Sequence, residues 1–235
     1  MERQYATRIT ELFGSVRDSL FWQDLLRNLK TWDDEFYASV EESLLHSNDL
    51  PILNEKSFRS AMEKAFRKDC LHNSKWPDPA NGSAFLEPHT HHTGLNDLVR
   101  TTITVRFLDG AEFLAKRIEQ LASQHGLRCE IERKADPSGY YAIHLSVFLA
   151  ADVTTSSWAR ETITFQFEIQ IPTVTQSSFR AVSHRLYERA RIAPPDENSQ
   201  WQWAPESLPF QTQYLGHILH YVDGMLVETR KSLSK

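Results

Sequence analysis

The sequence is poor in glycine and has none of the glycine-rich loops that cradle phosphates. It contains 8 glycines in 235 residues, and they form neither the P-loop pattern nor the Gly-x-Gly-x-x-Gly fingerprint of dinucleotide-binding folds. Two large classes of nucleotide-dependent enzyme are therefore excluded. A chain of this length can still bury roughly 70% of its unfolded surface, so its core needs no metal or disulfide.

Cysteine is scarce, and long apolar runs are absent. Cys70 and Cys129 are the two cysteines, too few for a disulfide framework, so a reducing compartment is the default. Residues 1–14 lack the apolar segment of a secretory signal, and no run approaches the ~18 apolar residues of a membrane span. We therefore expect a cytoplasmic protein with no membrane partner.

Positive charge is not in excess either. Lys and Arg number 26 against 31 Asp and Glu, which gives a net charge of −5 and a pI near 6.1. This balance disfavours a generally basic nucleic-acid-binding surface, but it leaves room for a local basic pocket.

Hydrophobic periodicity predicts an α/β (α+β) fold in which a mixed β-sheet is flanked by helices. Residues 2–46 are expected to be helical, with a separate helix over 33–45 after a Thr31 cap. Further helices are predicted over 58–69, 109–125, 176–191 and 212–232, the second of them opened by a capping box at Asp109. Strands are predicted over 101–107, 127–132, 141–149 and 162–171. The expected organisation is a helical N-terminal extension (1–49), a central domain (50–191), and a Pro/Trp loop with a C-terminal helix (192–235).

The first candidate site is a lysine-rich helix start at residues 56–64. Lys56 precedes the predicted helix, and Lys64 lies further along it. Ser57 and Ser60 place hydroxyl groups in the first turn. Helix N-terminal amides and lysines together bind phosphate. The alternative is a capped surface helix with solvated lysines.

Two carboxylates lie at predicted strand positions. Asp97 stands where the chain enters a strand and could hold Mg²⁺ there; an ordinary turn aspartate is the alternative. Glu168 and Gln170 share one face of strand 162–171, whose other face is wholly apolar. Such a strand is expected to be central, with its polar face near a cleft or under a helix. A solvated face is the alternative.

A turn before a strand presents a tyrosine. Gly139 permits a tight turn. Tyr140 then stands at the junction of a loop and a strand, where its ring can stack on a base. The alternative is a turn glycine followed by a core tyrosine.

Together these segments resemble the RelA/SpoT synthetase family, the nucleotide pyrophosphokinases that make the alarmones (p)ppGpp. The family has an Arg-x-Lys-Ser-x-x-Ser-x-x-x-Lys stretch, an Asp-Ile/Leu-x-Gly-x-Arg strand, a Gly-Tyr-x-x-Ile/Leu-His loop and a Glu-Ile/Leu-Gln-Ile/Leu-Arg-Thr strand. All four are matched in that order between about residues 50 and 190, and residues 183–187 match a later histidine-containing helix. The resemblance implies a nucleotidyltransferase-like synthetase domain over 50–191. The length resembles that of small stand-alone synthetases, a group that includes toxins paired with antitoxins.

The resemblance also implies an activity and a set of roles. Pyrophosphate would pass from ATP to the ribose 3′-hydroxyl of a guanosine or adenosine nucleotide, with Mg²⁺ as cofactor. The catalytic residues would be Asp97, Glu168 and Gln170, the first two of which would hold Mg²⁺. The ATP phosphates would be bound by Lys56, Ser60 and Lys64. The acceptor nucleotide would be bound by Tyr140, His144 and His184. Metal and lysines would neutralise a highly charged phosphate chain, and the rest is positioning.

The sequence departs from the family pattern at three arginines. Asn54, Thr102 and Pro172 stand where the family has arginine, and two of those arginines sandwich the adenine of ATP in the family. Arg100 or Arg106 is expected to take over contact with the donor nucleotide, because a guanidinium plane can stack on a purine.

Two other functions remain open. One is transfer of pyrophosphate to the 3′ end of tRNA, which needs a basic patch near the acceptor site; its candidates are Arg180, Arg185, Arg189 and Arg191. The other is a non-catalytic nucleotide-binding or partner-binding module, which the three replaced arginines favour. An antitoxin protein or further copies of the chain are the expected protein partners.

Overall fold

A computed structural model describes residues 1–79, 95–155, 157–192 and 200–233, and within 184–192 it describes the backbone only. The helices are α1 (Glu2–Arg17), α2 (Leu20–Val40), α3 (Phe58–Phe66), α4 (Leu108–Gln124), α5 (Val174–Ile192) and α6 (Leu208–Leu233). The strands are β1 (Asn54–Glu55), β2 (Val99–Thr102), β3 (Cys129–Ala135), β4 (Tyr141–Thr154) and β5 (Arg160–Ile171). Within the described ranges, every helix is too short or too polar to span a bilayer.

The five strands form one mixed sheet in the order β1-β2-β5-β4-β3. Strands β2 and β5 run parallel, whereas the other neighbouring pairs are antiparallel. The longest pairing joins β4 to β5, from Ile143 opposite Ile171 to Thr154 opposite Arg160. The predicted α+β fold with a mixed, helix-flanked sheet is confirmed.

The core lies between the apolar face of this sheet and the helices α1, α2 and α4. Alternate residues of β5 point into it, and all are at most 7% exposed: Ile163, Phe165, Phe167, Ile169 and Ile171. The Trp22 ring of α2 packs edge-on against Phe167, with the ring centroids 5.8 Å apart. Each such side chain contributes about 1.5–3 kcal/mol when fully buried. The core therefore fixes β5, and with it the polar face on the other side, as predicted for a central strand.

The second helix runs without a break through residue 33 and ends at Val40, so no separate helix begins there and the expectation of helix over 41–46 is wrong. Ser19 begins it by accepting a hydrogen bond from the Trp22 amide. A buried apolar stripe then continues past residue 33, through Phe36. Asp33 stabilises the following loop instead, since its Oδ1 accepts hydrogen bonds from the Leu44 and Leu45 amides at 2.7 and 3.0 Å.

The region after Asp97 also differs from the prediction. Strand β2 ends at Thr102, and Val105 forms only isolated bridges to Leu45 and Thr173. The capping box is wrong, because α4 begins at residue 108 behind Phe107, without a side-chain cap. Asp109 instead pairs with Arg230 of α6.

Candidate active site

The predicted site residues meet on the polar face of the sheet, where β2, β5 and β4 lie side by side. In the parallel pairing Arg100 stands opposite Glu168, and Thr102 opposite Gln170. On the other side of β5, His144 stands opposite Gln170. Because side chains alternate along a strand, these residues share one face. The sheet thus joins segments that are distant in sequence.

A carboxylate held between two lysines lies just before β2, 4.0 Å from Arg100. Ser57 caps α3 by accepting a hydrogen bond from the Ser60 amide, which places Lys56 just before the helix. The Nζ atoms of Lys56 and Lys64 lie 2.7 Å from Oδ2 and Oδ1 of Asp97, respectively. The backbone amide of Lys56 also donates to the carbonyl oxygen of Leu98 at 2.8 Å. Helix α3 and the start of β2 are therefore joined at this point.

The lysines determine the charge state of Asp97. Burial raises its pKa, but the charges and hydrogen bonds of Lys64 and Lys56 outweigh burial, so the pKa lies well below its usual range. Burial lowers the pKa of Lys56, and the Asp97 charge opposes this. Asp97 is consequently ionised at any physiological pH.

A second carboxylate ends a hydrogen-bonded chain of three side chains. Oε1 of Glu168 lies 3.1 Å from His144 Nδ1, and His144 Nε2 lies 3.2 Å from the Tyr140 hydroxyl. An ionised carboxylate only accepts, so Nδ1 carries a proton and donates to Glu168, and an imidazole in its neutral form would accept from the phenol at Nε2. Gln170 Nε2 donates to the other oxygen of Glu168 at 2.7 Å. The chain fixes both the carboxylate and the tyrosine ring.

The same partners shift the acidities. Burial raises the pKa of Glu168. The hydrogen bond and charge of His144 and the hydrogen bond of Gln170 lower it by more than burial raises it, so the net shift is downward. The charge of Asp97 opposes that lowering, so the two carboxylates influence each other across the site. Burial raises the pKa of Tyr140. At neutral pH Glu168 is therefore a carboxylate and Tyr140 a neutral phenol.

This pair of carboxylates fits Mg²⁺, although no group of three His, Cys, Asp or Glu side chains in the described ranges is arranged to hold a metal. Mg²⁺ commonly uses one or two protein carboxylates and completes its octahedron with water and substrate phosphates. Asp97 and Glu168 are hard oxygen donors of this kind. The site therefore suits a Mg²⁺ ion that arrives with phosphates.

Arg180 of α5 joins the cluster, and its role was missed from the sequence. Its guanidinium donates from one terminal nitrogen to Gln170 Oε1 at 2.5 Å, and its Cζ lies 5.6 Å from the centroid of the Tyr140 ring. From the sequence, Arg180 was predicted only as one of four candidates for a basic patch near the acceptor site, not as a partner of Gln170 and Tyr140. One feature of the sequence could have indicated this role: the predicted helix follows β5 directly, and the first turns of such a helix lie near the end of that strand.

Three other predicted site residues lie in different surroundings. Ser60 is exposed, and its hydroxyl accepts from Ser57 at 3.0 Å. Arg106 is exposed and donates from Nε to the Leu45 carbonyl at 3.2 Å, whereas Arg100 lies 4.0 Å from Asp97. The remaining predicted side chains lie outside the described residues: His184, Arg185, Arg189 and Arg191.

No protein-family profile matches the chain, and no curated protein matches it significantly. Solved structures do match. The small alarmone synthetase 1 from Bacillus subtilis is 17% identical, with a TM-score of 0.60 over 96% of this chain and 97% of that one. The same enzyme bound to its product pppGpp is 17% identical, with a TM-score of 0.58 over 91% and 92%. A GTP pyrophosphokinase family protein from Streptococcus pneumoniae is 16% identical, with a TM-score of 0.56 over 99% and 95%. The chain has the fold of the small alarmone synthetases, as the motifs predicted.

Proposed function

We propose that this chain is a RelA/SpoT-like nucleotide pyrophosphokinase, which transfers pyrophosphate from ATP to the ribose 3′-hydroxyl of a purine nucleotide. One observation carries the proposal: Asp97, held between two lysines, lies 4.0 Å from Arg100, and Arg100 stands opposite Glu168, which is held by His144. Support comes from the fold, because one structure that shares it is an alarmone synthetase bound to its product pppGpp.

The lysine cluster suits the phosphates of the donor. Lys56 and Lys64 are paired with Asp97 in the structure, and a triphosphate would offer them more anionic oxygens. Asp97 would then be available to hold Mg²⁺ together with Glu168. Bound there, Mg²⁺ would neutralise negative charge on the phosphates during transfer. We assign contact with the donor nucleotide to Arg100, which pairs directly with Asn54 across β1 and β2.

The second carboxylate suits the acceptor hydroxyl. The 3′-oxygen would attack the β-phosphorus of ATP, the bond from that phosphorus to the oxygen bridging the α-phosphate would break, and AMP would leave. Glu168 is ionised and can take the hydroxyl proton. His144 donates Nδ1–H to this carboxylate and holds it in place. Tyr140 would present its ring to the acceptor base.

The test is a transfer assay with ATP labelled on the γ-phosphate. Purified protein is incubated with labelled ATP, Mg²⁺ and one of GTP, GDP, ADP or tRNA, and the products are separated by chromatography. A pyrophosphokinase moves the label to the acceptor and releases AMP, whereas an ordinary kinase would release ADP. Glu168→Gln is the matched inactive control, expected to lose roughly a hundredfold or more in rate. Binding of ATP without labelled product from any acceptor would favour the non-catalytic module.

We favour a nucleotide over tRNA as the acceptor. Arg180, one candidate for the tRNA-binding patch, is turned into the site and bonded to Gln170. The same assay decides, since a tRNA acceptor would carry the label into acid-precipitable material. A growth-arresting role, with an antitoxin as partner, requires that expression of the wild type stops growth and that expression of Glu168→Gln does not.

A further inference from the structure

Helix α6 contacts the turn that carries Tyr140 through the backbone. Gly139 closes this turn with a hydrogen bond from its amide to Asp136 O at 2.9 Å, and it has a φ of +85°. A Cβ built on Gly216 of α6 would lie 2.4 Å from the Gly139 carbonyl oxygen, and one built on Gly139 would lie 2.4 Å from Gln213 O. Both distances are shorter than side chains tolerate. Helix and turn therefore approach this closely only with glycine at both positions.

His217, the next residue of α6, spans the same turn. Its Nδ1 lies 2.8 Å from the Tyr141 hydroxyl, and its Nε2 lies 3.3 Å from the Pro137 carbonyl oxygen. A carbonyl only accepts, so Nε2 carries the proton and Nδ1 accepts from the phenol. The His220 ring stacks on Tyr141 with the centroids 3.7 Å apart. The residues on both sides of Tyr140 are thus held by one helix.

Two buried polar side chains bind α6 to the segments around Tyr140, namely the start of β4 and the start of α5. Gln176 of α5, 1% exposed, donates to Gly216 O at 3.1 Å and accepts from the Tyr141 amide at 3.3 Å. Asp223 of α6, 2% exposed, accepts from the hydroxyls of Thr173 and Thr175, each at 2.6 Å. Buried polar groups are costly to leave unpaired. These bonds therefore hold α6 in one position relative to β4 and α5.

We propose that Gly216 and His217 are positioning residues for the acceptor nucleotide, because they set where the Tyr140 ring stands in the site. The inference rests on the proposed function, since it takes Tyr140 as the ring that binds the acceptor base. A shift of α6 would move the turn and the ring. The donor side would keep its place, because Lys56 and Lys64 are held by α3 and Asp97.

The chain offers a matched pair of variants on the same helix. Alanine at 224 would meet nothing within 4 Å, whereas alanine at 216 would meet the turn. We expect Gly216→Ala to raise the acceptor KM roughly tenfold or more with little change in the KM for ATP, because small misplacements of a binding group are costly. Gly224→Ala should leave both KM values within about twofold of the wild type.

A second set of variants guards against a folding defect in Gly216→Ala. His217→Ala removes two hydrogen bonds without creating a clash and should raise the acceptor KM in the same selective way. His217→Gln keeps an N–H donor for the Pro137 carbonyl and should recover part of the loss. Equal KM values in Gly216→Ala and Gly224→Ala would overturn the inference. So would parallel rises in the acceptor and ATP KM values in the Gly216 and His217 variants, since these would show a general structural role.

Failure of the proposed function can be distinguished from failure of this positioning role. If the wild type makes no product, the proposed function fails, and calorimetric titration with GDP and ADP decides the inference. Loss of nucleotide affinity in Gly216→Ala but not in Gly224→Ala would support it. Equal affinities in the two variants, or no binding of either nucleotide by the wild type, would overturn it.

Discussion

Lys56 Nζ lies 2.7 Å from Oδ2 of Asp97, with only 10% and 15% of the two side chains exposed. Lys64 takes the other carboxylate oxygen at the same distance. Each oxygen thus accepts a hydrogen bond from one ammonium group and keeps a second lone pair for a metal ion. A triphosphate would offer the lysines more anionic oxygens, and we expect them to change partner when it binds, which would leave Asp97 freer to hold Mg²⁺.

The first prediction concerns the stability of this cluster. Asp97→Asn should lower the free energy of unfolding by about 1–3 kcal/mol, because it leaves two partly buried ammonium groups without their counter-charge. Urea denaturation of wild type and variant measures the difference. Glu63→Gln is the control, since it breaks the exposed Arg59–Glu63 pair on the same helix and should cost less than about 1 kcal/mol. Equal losses in the two variants would show that the Asp97 cluster is no more stabilising than a surface ion pair.

The second prediction is the pH dependence of that difference. Burial raises the pKa of Asp97, but Lys64 and Lys56 outweigh it and hold the folded-state pKa well below 3.8. A lowered pKa contributes stability that is complete above the unfolded-state pKa and is lost as pH falls through the folded-state pKa. The stability gap between wild type and Asp97→Asn should therefore be constant from about pH 5 to 7 and shrink below about pH 4. Glu168, whose pKa is also lowered, is present in both proteins, and only the part of its shift that depends on the Asp97 charge enters the difference. A gap that stays constant in strong acid would contradict the assignment.

Local patterns were enough to predict β3, β4 and β5 and one face of the central strand, whereas the strand predicted over 101–107 overlaps β2 only at Thr101 and Thr102. The alternation of apolar residues along β5 places Glu168 and Gln170 together on the polar side, and the structure confirms this. The opposition of Arg100 to Glu168 could not be predicted, because the parallel register of β2 and β5 depends on packing between segments far apart in sequence.

The contacts around Tyr140, where the acceptor is proposed to bind, were still harder to predict from the sequence. Gly216 stands within a helix, where a glycine lowers helix propensity, and only its contact with Gly139 explains its presence. The direction of Arg180 depends on how α5 crosses the sheet, which no local pattern encodes. Tertiary contacts of this kind decide which side chains reach the site.

The third prediction separates the ring of Tyr140 from its hydroxyl. Tyr140→Ala should raise the acceptor KM through loss of stacking worth about 1–3 kcal/mol. Tyr140→Phe keeps the ring and should change that KM little, but it removes the hydrogen bond to His144 and should lower kcat by roughly 2- to 12-fold. Steady-state kinetics with the acceptor varied at saturating ATP measures both. Equal rises of KM in the two variants would show that the hydroxyl, not the ring, binds the acceptor.

The fourth prediction concerns Arg180. Arg180→Ala removes the hydrogen bond to Gln170 and the cation near the Tyr140 ring, and it should raise the acceptor KM by roughly 3- to 10-fold, as expected for one hydrogen bond. Arg180→Lys should not restore the wild-type value, because an ammonium group lacks the planar fork of a guanidinium. Arg27→Ala on α2, where the arginine pairs with Asp24 at the surface, is the control for loss of one positive charge. An equal effect of Arg27→Ala would reduce the role of Arg180 to net charge.

The fifth prediction distinguishes the two arginines proposed from the sequence to replace the missing donor contacts. Arg100 lies 4.0 Å from Asp97 and pairs directly with Asn54, whereas Arg106 donates to the Leu45 backbone. Arg100→Ala should weaken ATP binding by about 1–2 kcal/mol, as for a partly desolvated cation–π contact, and leave GDP binding unchanged. Arg106→Ala is the matched control and should bind both nucleotides as the wild type does. Calorimetric titration of each nucleotide into each variant provides the measurement. Unchanged ATP affinity in both variants would mean that Lys56 and Lys64 hold the donor without an arginine, and a loss confined to Arg106→Ala would reverse the assignment.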